Sequence, residues 1–76
     1  MNAKQRKQIE ALSATLCDVR SQLETLQSDE QEKYDNMPES LQGGDKGSNQ
    51  EEVCGDMDSA VDSISEVIDA LERATQ

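Results

Sequence analysis

IEALSATLCDVRSQLETL, residues 9–26, decides the fold. Ile9, Leu12, Leu16, Val19, Leu23 and Leu26 recur at spacings of three, four, three, four and three, the a/d seam of a helix that packs along a neighbour. The apolar pattern then lapses into the polar run 27–33 before Tyr34 and Met37, while helix-favouring Gln, Glu and Lys persist. One helix is expected over about residues 3–35. At about 1.5 Å per residue it is roughly 50 Å long, more than a compact monomer of this size uses. Its acidic end must project or find a partner.

A second seam follows at Val53, Met57, Ala60, Val61, Ile64, Val67, Ile68, Leu71 and Ala74, with an extra apolar residue in most turns. This stripe is wider than the first, and a wide stripe is best covered by two neighbours. Ser48-Asn49-Gln50-Glu51 has the capping-box spacing, so the second helix is expected over about 49–75 with a turn at 36–48. Gly55 is a weak point inside it, able to delay the start to Asp56. The simplest fold is all-α: a two-helix antiparallel hairpin occupying 1–76 as one domain and dimerising into a four-helix bundle.

In an antiparallel hairpin, residues whose numbers sum to about 84 lie opposite each other. Leu23 then meets Val61, Val19 meets Ile64, Leu16 meets Ile68, and Leu12 meets Leu71. Cys17 and Cys54 fall roughly 20 Å apart along the axis in this register, too far for a bridge within one hairpin. They read as small, partly buried thiols.

Composition supports a helical bundle and narrows the chemistry. The 76 residues include no Phe, Trp or His and a single Tyr, so any core is built from Leu, Ile, Val, Met and Ala. Chains this short commonly need oligomerisation, a metal or disulfides to complete their stability. Seventeen acids against seven bases give a net charge of −10, and residues 1–23 alone carry an excess of two bases. Such a surface repels nucleic-acid phosphates and anionic lipid and favours basic protein partners. No run approaches the roughly 18–20 apolar residues of a membrane span, and the amino terminus lacks the apolar core of a secretory signal. A cytoplasmic protein with no membrane or direct nucleic-acid contact is expected.

Three patterns invite a chemical reading and fall short of it. Asp56-Met57-Asp58 with Asp62 and Glu66 begins like a calcium loop, but Val61 and Val67 stand where that loop needs its glycine and its glutamate. Gly43-Gly44-Asp45-Lys46-Gly47-Ser48 lacks the Gly-Lys-Ser/Thr order and the preceding strand of a phosphate loop, and reads as a turn. Without histidine there is no zinc quartet and no ready base for a Ser or Cys nucleophile. The chain reads as non-enzymatic and free of cofactors or metals.

Two surfaces remain. Asp58, Asp62, Glu66, Asp69 and Glu72 form an acidic strip on the outer side of the second helix, with Asp69 and Arg73 the one obvious i,i+4 pair of opposite sign. The strip either keeps the protein in solution or imitates a nucleic-acid backbone to a basic groove. The corner is the other surface. Pro38 ends the first helix, and Pro-Glu-Ser-Leu is expected to form a short turn folding Leu41 back. Tyr34, Met37, Pro38 and Leu41 then make either a packed cap over Val53 and Cys54 or an exposed epitope anchored by Tyr34.

The corner also carries a resemblance. Glu30-Gln-Glu-Lys-Tyr-Asp-Asn-Met-Pro-Glu-Ser-Leu-Gln42, between a Glu/Leu-rich helix and an acidic Ala/Ile/Leu-rich one, resembles a group of small uncharacterised acidic helical proteins of phages, prophages and bacteria. That group shares a D-N-x-P-E-x-L-Q turn. Cys17, Cys54 and Gly55 are not features of it. The resemblance implies a helical hairpin of mobile-element or bacterial origin and supplies no catalytic assignment. Two functions remain open on this reading: an inhibitor offering its acidic surface to a basic nucleic-acid-binding host or defence protein, or a structural module binding through the seam and corner.

Overall fold

The computed structural model describes residues 1–76 and contains helices only: α1 (Ala3–Asp35), α2 (Glu39–Gln42) and α3 (Asp45–Ala74). α1 and α3 pack along each other as an antiparallel pair, giving a rod of 58 × 15 × 13 Å. Its radius of gyration is 17.2 Å, against ~11 Å for a compact domain of this length. None of the helices is long and apolar enough to cross a membrane.

α1 begins with a capping box that the sequence reading overlooked. Asn2 Oδ1 accepts from the Gln5 backbone N–H at 2.8 Å while Gln5 Oε1 accepts from the Asn2 N–H at 3.2 Å, so two end amides are satisfied reciprocally. The helix stops at Asn36, two residues ahead of Pro38, where the ring of a proline excludes continued helical geometry.

α3 starts four residues before the expected Asn49. Gly44, extended at φ −99° and ψ −171°, takes the cap position, and Asp45 sits in the first turn, where a carboxylate complements the helix dipole. Ser48 therefore lies inside the helix and caps nothing. Gly55 does not interrupt it either; α3 runs straight through.

The early start depends on Gly47. It is buried, and a Cβ built there would overlap the Gln42 backbone, lying 2.6 Å from its Cα. Only a residue without a side chain lets α2 lie this close to the first turn of α3.

The seam of α1 is rotated from the one the apolar spacing implied. Ile9, Ser13, Leu16, Arg20, Leu23, Gln27, Glu30, Tyr34 and Met37 are half-buried, again at alternating intervals of four and three. Ile9, Leu16 and Leu23 belong to both patterns. Leu12, Val19 and Leu26 do not, and they stand 58%, 38% and 52% exposed. At about 100° per residue the inward line is turned by roughly 50° from the a/d line. The pairings of Leu12 with Leu71 and Val19 with Ile64 therefore give way to a seam that alternates apolar and polar side chains.

On α3 the inward positions are Gly47, Gln50, Cys54, Met57, Val61, Ile64, Ile68, Leu71 and Thr75, with Ala60 and Ser65 at the flanks. The register agrees with the sequence expectation within a residue: Arg20 bonds Ser65 and Tyr34 bonds Glu51 across the helices. Burial is thin. Ile68 at 2% exposure and Cys54 at 8% are the only buried side chains of any size.

Candidate functional site: a two-faced hairpin

Helical geometry sorts the surface of the hairpin by the two cross-helix bonds. Tyr34 Oη donates to Glu51 Oε1 at 3.0 Å, and Arg20 Nη1 donates to Ser65 Oγ at 3.3 Å. Both bonds lie on the same flank of the seam, since Tyr34 and Arg20 are fourteen residues apart on α1, and Glu51 and Ser65 fourteen apart on α3. This is the polar face.

The acidic strip lies on that side. Asp58 and Glu72 share the flank of Glu51 and Ser65, and Asp62, Glu66 and Asp69 continue outward around α3, from about 70° to about 170° off its seam. All five are exposed. The chain holds two ion pairs, Arg20–Glu24 at 3.7 Å and Lys33–Glu30 at 3.1 Å, and neither involves the strip. The expected Asp69–Arg73 pair is not formed; both side chains are exposed near the end of α3, where a surface pair repays little of the entropy of holding it.

The opposite face is apolar. Val53, Ala60 and Val67 repeat every seven residues about 70° off the α3 seam, on the side away from Glu51 and Ser65. Leu12, Val19 and Leu26 do the same on α1, away from Tyr34 and Arg20. Val53 is 40% and Val67 48% exposed. The two heptad lines therefore share one side of the rod, with a shallow depression of about 410 Å³ beside Leu12.

The corner end is built from polar clamps more than from the expected apolar cap. Gln42 Nε2 donates to the carbonyls of Tyr34 and Met37 at 3.0 and 3.2 Å, clamping the end of α1; the Tyr34 carbonyl also accepts from the Met37 N–H. Gln50 Nε2 donates to both the Glu30 carbonyl and Glu30 Oε2, at 2.8 and 2.6 Å, tying α3 to α1. Tyr34 and Met37 are half-buried, whereas Pro38 and Leu41 are exposed, so Leu41 does not fold onto the bundle end as expected. The hydrogen bonds of Gln42 hold the turn in its place. Its neighbour Leu41 points away because a four-residue helix leaves only one side against the rod.

These bonds set the two perturbed protonation states in the chain. The hydrogen bond from Gln50, and next that from Lys33, holds the Glu30 carboxyl below its ordinary range. The hydrogen bond to Glu51 raises Tyr34 above the ordinary phenol value, with desolvation adding to it, since the neutral phenol is the donor the carboxylate needs.

Gln31, Tyr34, Glu51, Cys54, Gly55 and Asp58 line an open groove of about 340 Å³ on the polar face. It brings the corner residue Tyr34 beside Asp58, the first member of the acidic strip. Cys17 and Cys54 are both free thiols, one half-buried and one buried. No three His, Cys, Asp or Glu side chains converge on a common point.

The structurally decisive residues that sequence reading missed are Asn2, Arg20, Glu30, Gln42, Gly47 and Gln50. One signal pointed to two of them: the heptad spacing of Ile9, Leu16 and Leu23 extends to a four-three pattern through Arg20, Gln27, Glu30, Tyr34 and Met37 once polar residues are admitted to the seam. Comparison with protein families, with curated proteins and with solved structures found no match to this chain.

Proposed function

We propose that the chain is a non-enzymatic helical interaction protein of phage or bacterial origin that acts in the cytoplasm as a four-helix-bundle homodimer. Its acidic face docks on a basic protein partner, inhibiting a nucleic-acid-binding host or defence protein. The observation that carries this reading is the segregation of the surface: five exposed, unpaired carboxylates of α3 lie on one face, and the exposed Leu and Val lines lie on the other. Carboxylates at i,i+3 and i,i+4 spacing stand about 5–6 Å apart, and their repulsion costs the helix a few tenths of a kcal/mol per pair. A basic groove would relieve that repulsion and be drawn to the strip by long-range attraction.

The test is affinity capture from bacterial extract at low and high salt, using wild-type protein and a variant with Asp58, Asp62, Glu66 and Asp69 changed to Asn or Gln. Capture of a basic protein that weakens with salt and is lost in the variant supports the reading. Equal capture by both proteins overturns it.

A second reading is favoured by a specific observation, the exposure of Leu12, Leu26, Leu41, Val53 and Val67. Here the chain is a structural or assembly module that binds through its apolar side and its corner, and the acids only keep it in solution. A Leu26 or Val53 substitution then abolishes binding without unfolding the hairpin, while neutralising the acids leaves binding intact.

A further inference from the structure

We infer that two copies of the chain pack antiparallel through their apolar faces, about a two-fold axis passing beside Val19. This rests on the dimer reading above and specifies its geometry: Val19 faces Val19 of the second copy, and Leu12 faces Leu26 of the second copy.

The first argument is area. A monomeric protein of this mass exposes ~4,600 Å² by the surface–mass relation, whereas this chain of 8.4 kDa exposes 5491 Å². The excess of roughly 900 Å² is close to the ~800 Å² that each partner gives to a standard stable interface. A second copy laid along the rod removes an excess of that size.

The second argument is symmetry. α1 runs from Ala3 to Asp35, so Val19 is its midpoint, and Leu12 and Leu26 stand one heptad to either side. A two-fold axis perpendicular to the helix at Val19 maps this line onto itself. On α3, Val67 lies at the level of residue 18, beside this axis, while Ala60 and Val53 lie at the levels of residues 25 and 32 in the register set by Tyr34–Glu51 and Arg20–Ser65. One operation therefore matches the α1 line to its own copy and brings Val67 near the Val67 of the second copy, as an isologous interface requires.

The third argument is charge, and it chooses between the two ways of stacking the faces. Residues 27–56, the corner end, hold nine acids and two bases, whereas residues 1–12 and 66–76, the open end, hold four of each. A parallel dimer sets one strongly negative corner against another. The antiparallel dimer sets each corner against a neutral end, and it carries Lys4 past Asp29 and Glu32 of the second copy. Ala11, Thr15, Gln22 and Thr25 flank the Leu and Val line on α1, with Asp18 the one charged residue among them.

The wild-type protein tests this without mutation. Lys4 is about 38 Å from Asp29 and about 42 Å from Glu32 along its own helix, so a zero-length carbodiimide can join them only between antiparallel copies. Native mass measurement at twice 8.4 kDa, together with Lys4–Asp29 or Lys4–Glu32 peptides, is the expected result. An orthogonal arm uses Leu12→Cys and Leu26→Cys in a background with Cys17→Ser and Cys54→Ala, with helicity checked by circular dichroism. Each single variant oxidised alone should stay uncrosslinked, and a mixture of the two should give the disulfide-bonded dimer. Should the background lose its helicity, the carbodiimide peptides alone decide the orientation. A dimer in which Leu12→Cys bridges to itself, or one lacking the carbodiimide peptides, overturns the orientation and leaves the dimer reading standing. A monomer at every concentration overturns both.

Discussion

Tyr34, near the end of α1, donates its phenolic hydrogen bond to Glu51 in the second turn of α3 at 3.0 Å, joining the two long helices next to the corner. The bond exists only while the phenol keeps its proton, and Glu51 raises the Tyr34 pKa. For a group whose folded pKa lies above its unfolded value, the contribution to stability is complete below the unfolded pKa and is lost as pH rises through the folded one. The unfolded value is about 10. Urea unfolding of the wild type should therefore weaken above that pH, and Tyr34→Phe should remove this part of the pH dependence. An ultraviolet titration of Tyr34 that is unchanged by Glu51→Gln would sink the assignment.

Glu30 behaves in the opposite sense. Its carboxylate accepts from Gln50 and Lys33, and both bonds hold its pKa below the ordinary carboxylate value. With a depressed folded pKa, the contribution is present above the unfolded value, about 4.3, and disappears as pH falls through the folded one. Gln50→Ala should lower the urea midpoint at neutral pH and have a smaller effect under acid conditions, where the wild type has already lost the bond. An equal effect of Gln50→Ala at both extremes would show that Gln50 acts only through the Glu30 carbonyl.

The two glycines of α3 predict opposite outcomes. At Gly47 an added methyl collides with the Gln42 backbone, which cannot swing aside as a flexible side chain does, so Gly47→Ala should destabilise by ~1–3 kcal/mol. At Gly55 nothing lies within 4 Å of the built Cβ, and Gly55→Ala should stabilise by about 1 kcal/mol through helix propensity. Denaturant unfolding of both variants checks the pair. Equal effects would mean that α2 does not lie against the first turn of α3.

What the sequence disclosed depended on which residues made the seam. The all-helical antiparallel hairpin and its register were legible because Ile9, Leu16 and Leu23 recur with heptad spacing opposite Val61 and Ile68. The rotation of α1 was not, because apolar residues were taken as the whole seam. Ser13, Arg20, Gln27 and Glu30 face inward instead, where Arg20 meets Ser65 and Glu30 meets Gln50. A polar residue that turns inward to make a hydrogen bond carries no hydropathy signal. The start of α3 was hidden for a related reason: Ser48 and Glu51 formed a capping box in sequence, but the close approach of Gln42 to Gly47 is a tertiary contact. The five acids of the strip are exposed, and their spacing along one helix is a local property that the sequence carries. Its relation to the apolar line required both helices.

Ile68 is the one large aliphatic side chain withdrawn from solvent within the hairpin. Ile68→Ala removes buried methyl groups and leaves a cavity, costing about 2–5 kcal/mol. A small domain holds only a few kcal/mol in total, so this variant should be largely unfolded by circular dichroism at ordinary temperature. Val67→Ala, at an adjacent residue but on the exposed line, should keep its helicity. A fully folded Ile68→Ala variant would mean that the hairpin interior contributes little to the stability of the chain.

The contrast between Val19 and Leu23 separates the two seams of α1. Leu23 is half-buried toward α3, whereas Val19, four residues before it and about 40° round the helix, is 38% exposed on the apolar flank. A carboxylate at position 23 must be desolvated inside the hairpin, so Leu23→Asp should unfold it. At position 19 a carboxylate meets water in the monomer, and a second carboxylate across the two-fold axis in the dimer. Val19→Asp should therefore leave the helices intact while converting the dimer to monomer in sedimentation. Because an oligomer gains stability with protomer concentration, the wild-type melting temperature should rise as the protein is concentrated and that of Val19→Asp should not. A wild-type melting temperature independent of concentration would leave Leu12, Val19 and Leu26 as a bare face with no part in holding the protein together.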